Sequence, residues 1–571
     1  MRQDPENNDG VIARPFARHR LLFLAVLTGL TAGLAAVSLK ILVHLVSGIS
    51  TNRLPGSVFS FLPAAGLLLT IVFTRFVLRA QPGTTADILV TIVQRSSVVE
   101  RFKMISHLVG SALTVGLLGS AGLESPIAIT GAAIGSNLGR NVNYKERTLL
   151  LSCGAAAGIA AVFNAPVAGM LFAIEVLLLD VSLSSIIPLV AAAVTGSLCS
   201  IVLQQNEILF EFPRIQHFDY RNIPFYFILA LFCSMISLLY SGIMRLAQRF
   251  LSPFPWLLKW GVAGLILWAV GSIAPVVLGE GSRAIAGLTQ GLPREFFHSI
   301  PLPVPFAVAL CIFVVLKIIA TAATLKSGGI GGNFAPSLFV GACAGFALAN
   351  AFNAAHPGLL PEGNFTIVGM AGTLSGVMYA PLTAVFLIAE ATGGYTLMVP
   401  LLLVSALTHV IVIQLRSHSM ELSELEEQGV NPTRRRDAQI LGQIRLGDLL
   451  EKDFVTVFED AKLRDLIGAI AISRRNLFPV VTSSGDLVGI VTLNDIRDQI
   501  FKSELYDSQF VRDLMVPIRQ SIDINDSMQM AMDKFDHSGA WNLPVVESKR
   551  YAGFVSRSRL FAAYREGARS V

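Results

Sequence analysis

The sequence predicts a polytopic α-helical membrane domain of two homologous, inverted halves with broken helices, followed by a water-soluble α/β module. Three observations carry that expectation. Of 571 residues, 53% are hydrophobic and only 15% charged, where soluble domains average roughly 25% charged. Two pairs of matching segments recur along the apolar part at nearly one spacing. Beyond about residue 443 the long apolar runs give way to short strand-and-turn units.

The first twenty residues are polar and end in ArgProPheAlaArgHisArg, just before an apolar run at Leu21–Ser47. That run is too long for a signal-peptide core and lacks a clear cleavage site, and the basic flank places the N-terminus in the cytoplasm. Further runs follow at Val58–Val77, Ile223–Leu246, Trp260–Leu278, Val304–Thr324 and Thr396–Leu415. Each is near the roughly 20 residues that span a bilayer. Arg75 lies close to the end of its run, where a long side chain reaches the interface. Other apolar segments are short or broken by Gly and Pro, so on the order of ten or more membrane segments are expected, some not spanning fully. The boundaries read as a tail at 1–20, a membrane domain at 21–418, a charged linker at 419–442 and the soluble module at 443–571. The net charge of +5 matches basic flanks and gives no reason to expect a nucleic-acid partner.

GLESPIAITGAAIG (Gly122–Gly135) and GNFAPSLFVGACAG (Gly332–Gly345) share one skeleton of Gly and Pro at an offset of 210 residues. GAAAGIAAVFNAPVAGMLFAIE (Gly154–Glu175) and GMAGTLSGVMYAPLTAVFLIAE (Gly369–Glu390) match at an offset of 215. Duplicated halves of this kind often insert with opposite orientation in transporters, with the binding site at their interface. A Gly-rich turn followed by Pro suits the first turn of a helix. The glycines let the backbone approach a ligand, and the free N–H groups with the positive end of the helix dipole favour an anion. Two such starts aimed at one point build an anion site without a full positive charge, which an anion can enter and leave. Glu124 stands in the first start where Phe334 stands in the second. An ionisable residue at membrane depth costs roughly 2.5–3.5 kcal/mol, so a role is expected. Ionised, its carboxylate occupies and blocks the site; protonated or swung aside, it opens it. The alternative is a Glu that caps a helix at a solvent-facing end.

In the module, Phe478–Thr482 and Leu487–Thr492 are short apolar runs around SerSerGlyAsp and read as a hairpin. AsnAspIleArgAspGlnIlePhe then begins a helix, with Asn494 or Asp495 near its cap. The unit recurs as Leu543–Glu547 and Tyr551–Phe561, and each copy follows a segment such as AspLeuLeuGluLysAspPheValThrVal or AspLeuMetValPro. Two copies in this order resemble a pair of CBS domains.

Cys153, Cys199, Cys233, Cys311 and Cys343 all fall in apolar segments, with no two at metal-ligand spacing, and read as small buried side chains. There is no HExxH, no GxSxG and no Walker A loop, so neither an intramembrane protease nor an ATP-driven pump finds its chemistry here, and no metal is expected.

Over about residues 20–571 the chain resembles the CLC family of chloride channels and chloride/proton exchangers, many of which carry a CBS pair. GlyLeuGluSerPro (122–126), SerAsnLeuGlyArg (136–140), GlyAsnPheAlaPro (332–336), PheAsnAlaProValAlaGly (163–169) and TyrAlaProLeuThrAla (379–384) carry the likeness. The resemblance implies that Glu124 is the external gating glutamate. It implies that the anion, chloride or another small anion, lies against Gly122, Leu123, Glu124, Asn333, Phe334 and Ala335. It further implies a homodimer in the lipid bilayer, voltage- or pH-dependent gating, cytoplasmic CBS domains and no required cofactor; a bacterial inner membrane is the expected location.

The departures bear on mechanism. About forty residues before Glu124, where the family has Gly-Ser-Gly-Ile-Pro, stands GlnProGlyThrThr (81–85), with Pro82 in place of the serine. The tyrosine usual after the last membrane helix is missing, and Glu421 of SerMetGluLeu takes its place. Where exchangers carry an internal glutamate, AlaIleGluValLeuLeu puts Val176 at the proton-transfer position and Glu175 before it. Glu175 has a counterpart in Glu390, which points to a structural role shared by both halves. These features favour passive anion conduction, with chloride/proton exchange as the alternative. For the CBS pair the resemblance allows an adenine nucleotide, with Thr492 and Asp495 in the first repeat and Ser556 in the second. Ser558 and Arg559 stand near where the second repeat would need its acid, and the bland alternative is a module that only joins subunits.

Overall fold

A membrane helix satisfies its own backbone, and its apolar residues then decide whether it faces lipid or neighbouring helices. The computed structural model describes residues 9–51, 60–78, 85–94, 97–177, 183–204, 215–290, 305–420, 423, 444–518 and 520–570. They fall into two units, Met1–Val430 and Asn431–Val571.

In the first unit the first half contributes α1 (Asp9–Thr51), α2 (Leu62–Val72, continued by a π turn to Val77), α3 (Thr85–Gln94), α4 (Lys103–Gly116), α5 (Glu124–Leu138), α6 (Tyr144–Phe163), α7 (Pro166–Glu175) and α8 (Leu183–Gln204). The second half contributes α9 (Ile223–Leu251), α10 (Trp256–Ile273), α11 (Ser282–Gln290), α12 (Phe306–Lys326), α13 (Phe334–Ala355), α14 (Glu362–Met378), α15 (Pro381–Ala391) and α16 (Met398–Leu415). The packing diagram is the same in each. In the first half α6 packs on α1, α5, α7 and α8, and α1 on α8; in the second α14 packs on α9, α13, α15 and α16, and α9 on α16. Asn164 and Tyr379 take left-handed φ of 54° and 57° at the ends of α6 and α14. A Pro then opens the short helix that follows in each half. The repeated glycines are helix crossings. Gly131 meets the backbone of Gly154, as Gly341 meets that of Gly369, and a Cβ at any of these positions would run into the facing chain.

Eight described helices are long and apolar enough to cross a membrane. The reading of ten or more counted shorter pieces as well, and Leu62–Val77, Pro166–Glu175 and Pro381–Ala391 are such pieces. Three of the eight were not singled out as apolar runs: Tyr144–Phe163, Ser185–Gln204 and Phe334–Ala355. The first and last are mostly buried within the protein, which explains their small, glycine-rich composition. Arg75 lies over the Trp256 ring at 5.6 Å from its centre. The cysteine reading needs one correction: Cys311 is exposed on α12, while the other cysteines are buried.

The second unit holds two small sheets. In the first, β1 (Val457–Phe458) runs parallel to β2 (Leu477–Val481), which pairs antiparallel with β3 (Leu487–Thr492), and β4 (Val516–Pro517) closes the far edge. In the second, β5 (Ile522–Asp523), β6 (Asn542–Glu547) and β7 (Arg550–Ser556) repeat the pattern. The helices are α17 (Leu463–Ile472), α18 (Leu493–Ile496), α19 (Met528–Ser538) and α20 (Arg557–Ser570). The repeats exchange their leading segments. Leu446 and Leu449, before the first repeat, pack in the core of the second, while Val511 and β4, before the second, complete the first. The expected helix cap shifts: Thr492 is the N-cap of α18 and Asp495 its third residue.

Candidate functional site

The two halves meet through three reciprocal sets of hydrogen bonds, each joining positions that are equivalent in the repeat. Gly122 and Gly332 exchange backbone bonds, N–H to O at 2.9 Å one way and 2.8 Å the other, as an antiparallel bridge. The Ser120 N–H donates to Thr324 Oγ1 (3.2 Å), and the Ile330 N–H donates to Thr114 Oγ1 (3.1 Å). Glu175, the last residue of α7, accepts from the N–H of Leu382 (2.9 Å) and from the N–H and hydroxyl of Thr383 (2.7 Å each) at the start of α15. Glu390, near the end of α15, accepts from the N–H of Val167 (3.1 Å) and Ala168 (2.9 Å) at the start of α7. Each short helix thus carries the acid that caps the other, where neither Ala165 nor Ala380 supplies a side-chain cap. Helices that cap one another end to start run antiparallel, so equivalent elements of the two halves are inverted.

The first bridge places two helix starts side by side, since α5 begins at Glu124 and α13 at Phe334. The glycines at the bridge are required by close approach. A Cβ on Gly122 would strike the Glu124 carboxylate, and one on Gly332 would come within 3.0 Å of Glu124 Oε2 and of the Ser125 nitrogen. The carboxylate therefore folds back over both glycines. The N–H groups of Glu124 and Ala335 face it. Glu124 is 3% exposed, and its Oε2 is buried without a hydrogen-bond partner among the described residues. Leu123, Phe334 and Ala335 are buried around it, and the Phe334 ring packs 5.4 Å from that of Phe163. Asn333 is the N-cap of α13, and its Oδ1 accepts from the Tyr240 hydroxyl at 3.1 Å. The structure thus gathers Gly122, Leu123, Glu124, Asn333, Phe334 and Ala335 at the pairing of the two helix starts. A carboxylate already sits where the helix ends favour an anion.

Val176 is buried directly after α7, beside the capping Glu175. Residues 81–84, including Pro82, and Glu421 lie outside the described residues. Sequence reasoning passed over Tyr240, whose contact with Asn333 spans 93 positions. It also passed over Lys317 and Glu280, which lie within electrostatic reach of Glu124. A basic residue inside the apolar Val304–Thr324 run was the available signal for Lys317.

In the soluble unit, Thr492 and Asp495 are together: Asp495 Oδ2 accepts from the Thr492 N–H (2.9 Å) and hydroxyl (2.7 Å). Ser556 instead donates to Glu451 Oε1 at 2.6 Å, and Arg475 bonds both Glu451 and Asp453. The Arg475 guanidinium holds the Asp453 carboxyl below its ordinary range. The second repeat therefore sets a carboxylate, not a cation, against its candidate residue, and the acid comes from the exchanged leading segment.

An inverted pair of helix starts closing on one carboxylate, within a bundle of membrane-length helices, defines an integral membrane protein that transports anions. The family model described as voltage gated chloride channel matches residues 66–412, and the CBS domain model matches 446–502 and 511–566. The chain belongs to this CLC family of anion transporters. It is 30% identical over 367 residues to a ClcB-like chloride channel protein of Ralstonia nicotianae, covering 62% of this chain and 82% of that one. It is 29% identical over 417 residues to an H(+)/Cl(-) exchange transporter of Vibrio cholerae, covering 69% and 86% respectively. Among solved structures it is similar to a slow cyanobacterial Cl-/H+ antiporter, with TM-score 0.63 and 20% identity over 72% of this chain and 98% of the other, a likeness of fold.

Proposed function

We propose that the protein exchanges chloride for protons, with Glu124 as the gate. One observation carries the reading: the Glu124 carboxylate is buried over the paired glycines at two helix starts, with one oxygen lacking a hydrogen-bond partner among the described residues. An ionised carboxylate there competes with the anion for the same N–H groups. Protonation removes its charge, weakens its hold on the helix ends and lets an anion take its place. Anion entry and proton uptake are then two sides of one event, which is the minimum that exchange requires. The exchange transporter at 29% identity supports this reading over the passive conduction expected from the sequence.

Passive conduction stays as the second reading because Val176 offers no titratable group at the position where exchangers carry their internal acid, and Glu175 is taken up as a helix cap. Buried proton transfer needs a titratable group or a chain of water. The test is purified protein in liposomes with anion and proton fluxes recorded together. Exchange predicts that a chloride gradient drives protons uphill. It also predicts that Glu124→Gln abolishes proton movement and removes the pH dependence of anion flux while anion flux continues. Wild-type anion flux with no proton movement would return the reading to passive conduction. Loss of all anion flux in a folded Glu124→Gln protein would remove Glu124 as the gate.

A further inference from the structure

Lys317 on α12 is fully buried. An ammonium within a membrane domain is costly and points to function. Its Nζ donates to the carbonyls of Val277 (2.9 Å) and Gly279 (2.6 Å) and lies 5.1 Å from the centre of the Phe339 ring. These bonds tie down the turn that carries Glu280. Gly279 and Gly281 on either side of it take left-handed φ of 63° and 87°, and a side chain at Gly281 would collide with Phe339. The Gly279 N–H also donates to the Leu118 carbonyl (3.0 Å) and the Ser120 hydroxyl to the Val277 carbonyl (3.4 Å), so the turn packs against the segment that leads into α5, and Glu280 lies within electrostatic reach of Lys317 and Glu124. Glu280 is partly exposed while Glu124 is buried. The unpartnered Glu124 Oε2 is the second sign that this side of the gate exchanges a ligand.

We propose that Glu280 is a second carboxyl of the gate, passing protons between the domain surface and Glu124, with Lys317 as the residue that positions it. The proposal rests on the reading of Glu124 as a protonatable gate. In the step itself, the O–H bond of a protonated Glu280 breaks and an O–H bond forms on the Glu124 carboxylate. The negative charge moves to Glu280, where it is stabilised by Lys317. Neutral Glu124 then yields the helix starts to an anion, and Glu280 is reprotonated from the aqueous side. Among the described residues, the other charged or titratable groups around the pair are Lys40 on α1 and, beside Lys317, the thiol of Cys343, which in turn lies near that of Cys311. Arg283, three residues on, is exposed.

The experiment measures anion and proton flux against pH for the full-length protein in liposomes. Glu280→Gln is expected to cut proton flux by about 100-fold, the low end for a positioned proton-transfer group, while anion flux continues. It also removes a neighbouring negative charge that favours the protonated form of Glu124, so the pH dependence of anion flux moves to lower pH by about one unit. Glu280→Asp keeps the carboxyl and restores part of both. Lys317→Met removes a positive charge that favours ionised Glu124, so the pH dependence of anion flux moves to higher pH, opposite to Glu280→Gln, and Lys317→Arg restores it, which a purely structural lysine would not do. A Glu280→Gln protein with wild-type proton flux and pH profile, beside a Glu124→Gln protein that has lost both, overturns this proposal alone. A Glu124→Gln protein that keeps the wild-type pH dependence overturns the gate and the relay together. If the wild type moves no protons, the exchange reading falls by itself, and the pH profile decides: a shift in Glu280→Gln upholds the coupling of the two carboxyls, and no shift ends it.

Discussion

Replacing Glu175 with alanine removes three hydrogen bonds at once, and the structure says which of them matter. The donors left behind are the N–H of Leu382 and the N–H and hydroxyl of Thr383. Leu382 is exposed and Thr383 is buried, so the cost falls mainly on two buried donors. Bonds to a charged acceptor contribute about 1.5–3 kcal/mol each, which puts Glu175→Ala near 3 kcal/mol at the lower bound. In Glu390→Ala the N–H left in a buried residue is that of Ala168, since Val167 is half-buried. That predicts about 1.5–2 kcal/mol. At about 2 °C per kcal/mol for a large chain, the melting temperature falls by about 6 °C in the first variant and about 3–4 °C in the second. Because both acids hold one antiparallel pair of helices, the double variant falls short of their sum. Thermal unfolding in detergent reads the stability, and the ratio of proton to anion flux in liposomes reads the function. A stability loss with an unchanged flux ratio fits a mutual cap. A Glu175→Ala protein with wild-type melting temperature and lost proton flux would refute the argument and make Glu175 the internal proton acceptor.

Two further outcomes follow from local geometry. Gly122→Ala puts a methyl group into the Glu124 carboxylate; the flexible end yields, so anion flux should lose much of its pH dependence, with overpacking costing about 1–3 kcal/mol in thermal stability. If the CBS pair binds an adenine nucleotide, the nucleotide should raise the melting temperature of the 443–571 fragment by mass action, equivalent to about 2.7 kcal/mol at 100 times Kd. Thr492→Ala or Asp495→Ala should abolish the rise beyond their own loss of cap, and a flat titration with ATP, ADP and AMP leaves the module an assembly element.

The features legible in the sequence were those written in local chemistry. Gly122–Pro126 and Gly332–Pro336 announced helix starts because turn glycines and a first-turn proline act within a few residues. The SerSerGlyAsp hairpin announced itself in the same way, with Gly485 at φ 87°. The two repeat offsets led to inverted halves, although the inversion itself appears only in reciprocal bonds such as Thr383 to Glu175, which join residues 208 positions apart. The exchange of leading segments between the CBS repeats is equally invisible in one dimension, because Leu446 and Leu449 look alike whichever core they enter. Lys317 and Glu280 were missed for a different reason. Neither belongs to a repeated motif, and their significance arises only when the turn after Ile273 packs against Leu118 and Ser120, on the segment that leads to Glu124.

A frame with two-fold symmetry is indifferent to direction; what it does is decided by the side chains that break the symmetry. The backbone bridge of Gly122 and Gly332, the threonine pair and the glutamate caps are all reciprocal, and they build the scaffold. At the 210-residue offset, Glu124 faces Phe334 across the repeat, and Lys317 corresponds to His107, which is buried against Ser106. The acid in the first half and the amine in the second thus lie within electrostatic reach of each other, and Glu280 joins them from a turn. Phe334, by contrast, closes its own position with a ring packed on Phe163. One helix start presents a group that can be protonated and displaced, the other only backbone N–H groups behind an apolar wall. Under the exchange proposed above, an anion held between them would meet a titratable gate on one side and fixed donors on the other, and that inequality would give a symmetric fold a direction in which to couple protons to anions.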